Sequence, residues 1–335
     1  MNISGSFNIF NKQKTAVNFA VFFLFLFIFF SSTPQVFASG FIPKHRSLYV
    51  PQEGKTFFFV GQDLNTINEY VQKTGQVQPG GVMYYTSVQR MEGVLSAINI
   101  GAGPQYGDGL LKQYPDSAIQ LGLYMVKALD DVVKGRYDEN LKILADWLIK
   151  SKRPVFLRIG YEFDNPFENN YDPKSYIKAY RHIVDFLRKK GVTNTAYVWH
   201  SYTAAKMLHT WIEWYPGDSY VDWFACSIFS TGNIPYAQKF LKLAKKHHKP
   251  FMIAESSPMG MYTIPGKKDW FSHVFRFIHQ NDIQAFCYID SNWDALPMYQ
   301  GQHWGDQRVE HYPAILKIWQ DEIKNSRYIK LFKEF

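Results

Sequence analysis

The sequence is poor in the residue types that mark several classes of protein. It has only two cysteines, Cys226 and Cys287, and both fall inside apolar, strand-like runs. We therefore interpret them as buried packing residues rather than as a disulfide, so the fold has to rely on its core. No Cys/His spacing resembles a zinc site, and no metal is expected.

Phosphate-binding glycine loops and a strong charge of one sign are also missing. The turn after the first predicted strand reads Gly61-Gln62-Asp63, which is not the phosphate turn of a dinucleotide-binding fold. The net charge is only +8, and basic runs such as residues 245–249 are interpreted as solvated helix ends rather than as a nucleic-acid or anionic-glycan patch. We find no Ser-His-Asp elbow and no P-loop, so neither a cofactor nor a nucleic-acid partner is expected.

Beyond residue 30 the sequence has no apolar run long enough to cross a membrane. The short run Phe19–Phe30 follows two lysines and precedes a small-residue site that ends at Ala38. This order predicts a signal peptide over residues 1–38, cleaved after Ala38, and a secreted, monomeric protein over residues 39–335. An uncleaved N-terminal anchor is the alternative.

Short apolar runs alternate with amphipathic helices through the rest of the chain. Most runs are continuously apolar, which is typical of parallel strands that are covered on both faces. The predicted strands are Thr56–Gln62, Gly81–Thr86, Ser117–Tyr124, Pro154–Tyr161, Thr195–His200, Val221–Phe229, Pro250–Ala254 and Gln284–Ile289. The predicted helices are Leu64–Thr74, Glu139–Ser151, Pro173–Lys190, Ala237–His248 and Trp270–Gln280. Eight such strands predict a single α/β domain, a (β/α)8 TIM barrel, with a doubly wound open sheet as the alternative.

Aromatic residues are abundant, at 18% of the chain, and many stand near predicted strand ends. Clefts that bind sugars need flat apolar faces on which pyranose rings can stack. An aromatic-rich core gives the same composition, so this feature alone does not distinguish the two.

Two glutamates end predicted strands on what would be the active-site face of a barrel. Glu162 follows the fourth strand and Glu255 follows the seventh. Side chains three strands apart on a narrow barrel can converge across its mouth. Glycoside hydrolysis uses such a carboxyl pair, one to protonate the leaving oxygen and one to attack the sugar or activate water. Salt bridges at the strand ends are the alternative interpretation.

Three segments carry a resemblance to a known family. Residues Arg158–Asp164, Tyr220–Trp223 and Lys249–Glu255 resemble glycoside hydrolase family 26, which contains β-mannanases and related glycanases. The resemblance implies a (β/α)8 fold, a polysaccharide or oligosaccharide substrate, Glu162 as acid/base and Glu255 as nucleophile. It also implies net retention, with the carboxyl groups about 5–5.5 Å apart.

Two residues depart from the mannanase pattern of that family. Tyr161 stands where the mannanases have histidine before the acid/base, and Phe229 stands where they have tyrosine on the sixth strand. These changes alter hydrogen bonding around the sugar at the cleavage point. They argue against mannan as the substrate more than against hydrolysis, so a related β-glycan stays open.

Other polar and aromatic residues at strand ends are candidate sugar contacts. Trp293 is the expected stacking platform, because family 26 enzymes have an aromatic residue there, and a loop-anchoring role is its alternative. For Asp164 we weigh loop capping against sugar contact, and for His200 a structural role against bonding to a sugar or to the acid/base. The predicted contacts are Tyr161, His200, Trp293, Phe229, Asp164, Tyr85, Gln62 and Asp290.

Two other functions remain open from the sequence. A catalytically inactive barrel that binds glycans is one, although both glutamates are present. An unrelated barrel enzyme, such as a phosphate-binding isomerase, is the other, and the missing glycine-rich phosphate turn argues against it.

Overall fold

A computed structural model describes residues 47–75, 77–204 and 210–332. The predicted signal peptide therefore lies outside the described residues. No helix in the described ranges has the length and apolar character needed to cross a membrane.

Eight parallel strands form the centre of the fold. We number them β1 to β8 in chain order: Thr56–Gly61, Gly81–Ser87, Ala118–Tyr124, Val155–Ile159, Thr195–Ser201, Trp223–Ile228, Phe251–Ser256 and Ala285–Ile289. Each strand pairs with the next, and β8 pairs with β1, for example Phe59 beside Cys287, so the sheet closes on itself. The predicted (β/α)8 barrel is confirmed, and closure excludes the doubly wound alternative.

In the described ranges, eight α-helices lie between or after these strands. They are α1 to α8: Leu64–Lys73, Gly107–Gln113, Leu129–Val133, Asp138–Ser151, Pro173–Lys189, Ile234–Lys246, Ile264–Asn281 and Pro313–Ile323. The three helices that the periodicity did not predict are α2, α3 and α8. The first two are one or two turns long, too short to show a helical repeat. The same ranges contain three short strands, Ile98–Asn99, Pro104–Gln105 and Tyr328–Ile329.

Local sequence signals explain where the main helices begin. Asp63 caps α1, since its carboxylate accepts the N–H groups of Asn65 and Thr66. Asp172 caps α5 through the N–H of Ser175, and Pro173 occupies the first turn, where its missing N–H costs nothing. The helix α7 begins at Ile264, six residues before the predicted start, because Thr263 caps it and Pro265 stands in its first turn.

The barrel interior is filled by large aromatic side chains at its N-terminal end. Phe156 of β4 packs against Phe57, Phe59 and Trp223, with ring centroids 6.0, 5.3 and 5.3 Å apart. All four are fully buried. The floor is therefore a packed plug, and the opposite, C-terminal mouth is the end at which barrels of this type bind ligands.

The cysteines behave as predicted. Cys226 and Cys287 are buried free thiols, and burial raises the pKa of both. They act as small apolar residues in the core.

Truncation of the interior plug should destabilise the barrel strongly. We expect Phe156→Ala to lower the free energy of unfolding by about 3–5 kcal/mol, because the neighbouring rings cannot collapse into the space. Phe167→Ala is the matched control, since Phe167 is 68% exposed, and should change stability by less than about 0.5 kcal/mol. Denaturant titration followed by circular dichroism measures both, and equal effects of the two variants would contradict the packing described.

Candidate active site

Glu162 is turned into the barrel mouth by an irregular end of β4. The strand stops at Ile159, and both Gly160 and Glu162 adopt left-handed backbone conformations, with φ of 55° and 50°. A side chain at Gly160 would approach Met125 Cε to 2.6 Å and Tyr176 Cε2 to 2.9 Å, so glycine is required there. Left-handed non-glycine residues carry strain and concentrate at functional sites, as Glu162 does here.

Glu255 is turned toward the same mouth by a β-bulge in β7. The strands β6 and β7 pair residue for residue up to Cys226, but the next pair is Ser227 with Glu255, which leaves Ala254 as an extra residue. Gln120 of β3 donates to the carbonyl oxygen of Ala254 at 2.8 Å and so holds the bulge from inside the barrel. Without the extra residue, strand alternation would point Glu255 to the outside.

Arg158 supplies a buried positive charge next to Glu255. Its guanidinium has no solvent exposure, forms an ion pair with the Glu255 carboxylate, and lies 5.2 and 5.1 Å from the ring centres of Tyr85 and Tyr161. Burial lowers the pKa of Arg158, but the negative charge of Glu255 outweighs burial and holds that pKa above its usual value. The Glu255 carboxylate thus lies directly against a permanent positive charge.

A chain of hydrogen bonds links this ion pair to Glu162. His200 Nδ1 lies 3.2 Å from Arg158 Nη1, and His200 Nε2 lies 3.0 Å from Ser227 Oγ. Ser227 in turn donates to Glu162 Oε1. Burial, followed by the charge of Arg158, lowers the pKa of His200 well below its ordinary value, so this imidazole is neutral.

Glu162 occupies the opposite electrostatic environment from Glu255. Burial and then the negative charge of Glu255 raise the pKa of Glu162 well above its usual range, against the opposing hydrogen bonds from Ser227 and Asn165. The Asn165 bond runs from Nδ2 to Glu162 Oε2 at 3.1 Å. Burial and negative charge thus favour the protonated form of Glu162, while Glu255 faces a cation. A general acid and a nucleophile require this difference in surroundings.

An apolar cleft of about 340 Å³ opens between the loops that follow β4 to β7. Burial, and then the charge of Glu162, raise the pKa of Tyr202 to about 12, which places this wall of the cleft beside Glu162. Aromatic faces with a few polar groups suit a sugar ring. The lining residues include Phe167, Tyr202, Phe229, Asn233 and Met259.

Three predicted contacts lie at the mouth, namely Tyr85, Tyr161 and Phe229, and all three are half-buried. The rings of Tyr85 and Tyr161 lie 5.3 Å apart and cover Arg158. Phe229 lines the cleft and stands edge-on to Trp293 at 6.0 Å.

Trp293 and Gln62 need correction as sugar contacts. Trp293 is only 2% exposed, and its indole N–H donates to Gln62 Oε1 at 3.1 Å, so little of its face is free for a sugar. Gln62 is buried as well, and its other end lies 3.4 Å from the Tyr299 hydroxyl. The structure favours the loop-anchoring alternative, and the half-buried rings beside this pair are Tyr299 and Trp304.

Asp164 is also a loop residue rather than a sugar contact. Its carboxylate accepts the Ser201 hydroxyl at 2.6 Å, the Tyr202 N–H at 2.7 Å and the Trp211 indole N–H at 3.1 Å. These bonds use both oxygens to tie the loops after β4 and β5 together, so the loop-capping alternative is favoured.

His200 and Asp290 are fully buried and do not line the mouth. His200 reaches Glu162 only through Ser227. Asp290 accepts the Val309 N–H at 2.8 Å, and burial and then the charge of Glu310 raise its pKa. Both residues were predicted from their positions at strand ends, but their side chains are buried in the protein interior.

Ser227 and Asn165 are functional candidates that the sequence reasoning missed. Ser227 stands two residues after Ala225 on β6, and both side chains face the barrel interior. A single small polar residue on the inner face, one step from the mouth, is a signal that strand alternation could have provided. Asn165 has no comparable signal, because a loop fixes its direction.

One group of described residues has metal-ligand chemistry, away from the two glutamates. Glu69, Glu310 and His311 could share an ion, but Lys73 and Arg308 already bond Glu69. Burial raises the pKa of Glu69, but Lys73, His311 and Arg308 outweigh burial and lower that pKa to about 2. The group is an ion-pair network and not part of the mouth.

Comparison with known proteins identifies glycoside hydrolases as relatives of this chain. The family model described as glycosyl hydrolase family 26 matches residues 143–294. The beta-1,3-xylanase TXYA of a Vibrio species is 31% identical over 315 residues, covering 84% of this chain and 67% of that protein. A beta-1,3-xylanase of an Alcaligenes species is 31% identical over 314 residues, covering 84% of this chain and 66% of that protein. The chain thus spans about two thirds of the length of these relatives.

A solved structure shares the fold. The family 26 beta-mannanase of Bacteroides ovatus matches with a TM-score of 0.65 and 15% identity, over 84% of this chain and 92% of that one. The identity to its xylanase relatives, together with the family model, shows that this chain belongs to glycosyl hydrolase family 26 and is a glycoside hydrolase.

Proposed function

We propose that this protein is a retaining β-1,3-xylanase in which Glu162 is the acid/base and Glu255 the nucleophile. The observation that carries the proposal is the opposite environment of the two carboxyl groups at one barrel mouth. Burial and negative charge favour a proton on Glu162, whereas Arg158 faces Glu255 with a positive charge.

In the first step Glu255 attacks the anomeric carbon, and the glycosidic C–O bond breaks. Glu162 gives its proton to the departing oxygen, and a covalent glycosyl–enzyme forms on Glu255. Esterification removes the negative charge of Glu255, so one cause of the raised pKa of Glu162 disappears in the intermediate.

In the second step Glu162, now a carboxylate, removes a proton from water. The resulting nucleophile attacks the anomeric carbon and releases Glu255, which inverts the centre a second time and gives net retention. Glu162 regains its proton, and Arg158 again pairs with a free carboxylate.

The substrate class comes from the relatives rather than from the barrel. Both curated relatives act on β-1,3-xylan by name. Tyr161 and Phe229 depart from the residues that the resemblance gives to mannanases, and they stand at the mouth and the cleft. Phe229 presents no hydroxyl group, so the sugar meets an apolar ring there.

We also propose secretion, supported by the order of charged, apolar and small residues in the first 38 positions. The extracellular protein is expected to begin at Ser39. Mass spectrometry of protein from the culture medium measures this, and an intact N-terminus on a membrane-bound protein would indicate the anchor instead.

Substrate and stereochemistry can be tested on a small panel of glycans. We expect reducing ends to be released faster from β-1,3-xylan than from β-1,4-xylan or β-1,4-mannan, and the first product seen by proton NMR to be the β-anomer. Preferential release from mannan would contradict the substrate, and an initial α-anomer would contradict retention. Binding without release from any glycan favours the inactive, glycan-binding alternative.

Amide variants test the two catalytic roles. Glu255→Gln should lower kcat at least about a thousandfold on every substrate, because no nucleophile remains. Glu162→Gln should be as slow on β-1,3-xylan, but should form the glycosyl–enzyme from a dinitrophenyl β-xyloside, whose leaving group needs no proton. Added azide should then restore turnover in Glu162→Gln by attacking that intermediate.

Glu139→Gln, on the outer surface at the start of α4, is the matched control and should retain activity. Circular dichroism checks that each variant keeps its fold. Normal rates on β-1,3-xylan for either amide variant would remove that glutamate from its role.

The coupling between the two glutamates predicts that the pKa of Glu162 depends on the charge of Glu255. Glu162 should titrate above the ordinary glutamate range in the unaltered protein, so kcat/KM should fall as pH rises through that pKa, because the acid loses its proton. Glu255→Gln removes a negative neighbour and should lower the pKa of Glu162. Carboxyl carbon NMR, assigned with Glu162→Gln, measures both, and an unchanged pKa would contradict the coupling.

A further inference from the structure

His200 and Ser227 lie between the Arg158–Glu255 ion pair and Glu162. Neither residue reacts with substrate in the proposed mechanism. Both are fully buried. They connect Arg158 on β4 with Glu162 by way of β5 and β6. Each atom in this chain is a donor, an acceptor or both according to its chemical type, so the hydrogen positions between neighbouring members can be worked out.

The direction of the chain is fixed at its cationic end. Arginine carries only donors, so Arg158 Nη1, 3.2 Å away, requires His200 Nδ1 to be an acceptor. His200 is kept neutral by burial and by the charge of Arg158, which lower its pKa. Its single ring proton is therefore on Nε2, which donates to Ser227 Oγ at 3.0 Å.

The same reasoning continues to Glu162. Ser227 has one hydroxyl proton, and its oxygen already accepts from His200. That proton is directed to Glu162 Oε1. Both carboxyl oxygens of Glu162 accept a hydrogen bond, Oε1 from Ser227 and Oε2 from Asn165 Nδ2. The Asn165 bond, at 3.1 Å, is the longer of the two and comes from an amide, so Oε2 is the oxygen to which we assign the acid proton.

We propose that His200 and Ser227 are positioning residues of a one-directional relay from Arg158 that fixes the transferable proton of Glu162 on Oε2. This inference rests on the proposed role of Glu162 as acid/base. When Oε2 releases its proton to the leaving oxygen, the Ser227 hydroxyl already points at the carboxylate, and no donor has to reorient. In the second step the same oxygen receives the proton of water.

Other charged groups near Glu162 act alongside the relay. Glu255 and Glu168 raise the pKa of Glu162 after burial, while Ser227 and Asn165 oppose them. Tyr202 faces the same carboxyl. Loss of the Ser227 hydroxyl should therefore raise the pKa of Glu162 further, because the ionised form loses a donor.

The first test measures the protonation state of His200 in the absence of substrate. In protein labelled with nitrogen-15 at histidine, the His200 signals, assigned with His200→Gln, should show a neutral ring protonated at Nε2 across roughly pH 5–8. A protonated ring, or a proton on Nδ1, would reverse the direction of the chain and overturn the proposal.

The second test uses Ser227→Ala. Carboxyl carbon NMR should show the pKa of Glu162 raised by about one unit, the loss of one hydrogen bond to a charged group. Ser117→Ala is the matched control, since it also removes a buried hydroxyl, one that donates to the Pro79 carbonyl just before β3. Ser227→Thr keeps the hydroxyl and should restore the original pKa. An unchanged pKa in Ser227→Ala overturns the relay.

Kinetic measurements on two substrates then distinguish a positioning role of Ser227 from a general structural role. In Ser227→Ala we expect kcat/KM on β-1,3-xylan to fall about tenfold and its alkaline limb to move upward, with kcat/KM on the dinitrophenyl xyloside unchanged. Equal losses on both substrates would show a general structural defect and count against the relay. If the unaltered protein cleaves no glycan, the proposed function fails, while the two NMR measurements still decide the hydrogen-bond order.

Discussion

Arg158 is a permanent positive charge that has no access to water, and the mouth of the barrel is arranged around it. A buried cation has to be paired, and Glu255 provides the carboxylate. The rings of Tyr85 and Tyr161 lie against the guanidinium and shield this pair from solvent. Removal of the carboxylate alone would leave the charge of Arg158 without a charged partner, so the nucleophile position is also part of what stabilises the interior.

The positive charge of Arg158 acts on two neighbouring groups, Glu255 and His200. It pairs with the Glu255 carboxylate, and it adds to burial in lowering the pKa of His200, so that the imidazole is neutral. The neutral imidazole passes a hydrogen bond to Ser227 and so to Glu162. Glu162, whose pKa is raised by burial and by Glu255, is therefore part of the same electrostatic unit. The two carboxyl groups differ in their surroundings and not in their chemistry.

Apolar strand runs and amphipathic helix patterns made most of the fold predictable. All eight predicted strands match barrel strands, since a parallel sheet covered on both faces requires continuous apolar runs. The site was less predictable. Trp293, Asp164 and Asp290 stand at strand ends as candidate contacts do, yet the indole bonds Gln62 and both carboxylates accept bonds from the protein. Strand-end position does not reveal whether a side chain is already engaged by a neighbouring loop.

The sequence by itself determined the barrel, and it placed Glu162 and Glu255 at the ends of two strands, because apolar periodicity and the order of elements are local properties. Only the tertiary structure decided that both side chains enter one mouth. Alternation alone points Glu255 outward, and the extra residue Ala254, held by Gln120 from another strand, reverses it. The relay through His200 and Ser227 likewise joins three strands. Bulges and cross-barrel hydrogen bonds depend on partners distant in sequence, which no local pattern encodes.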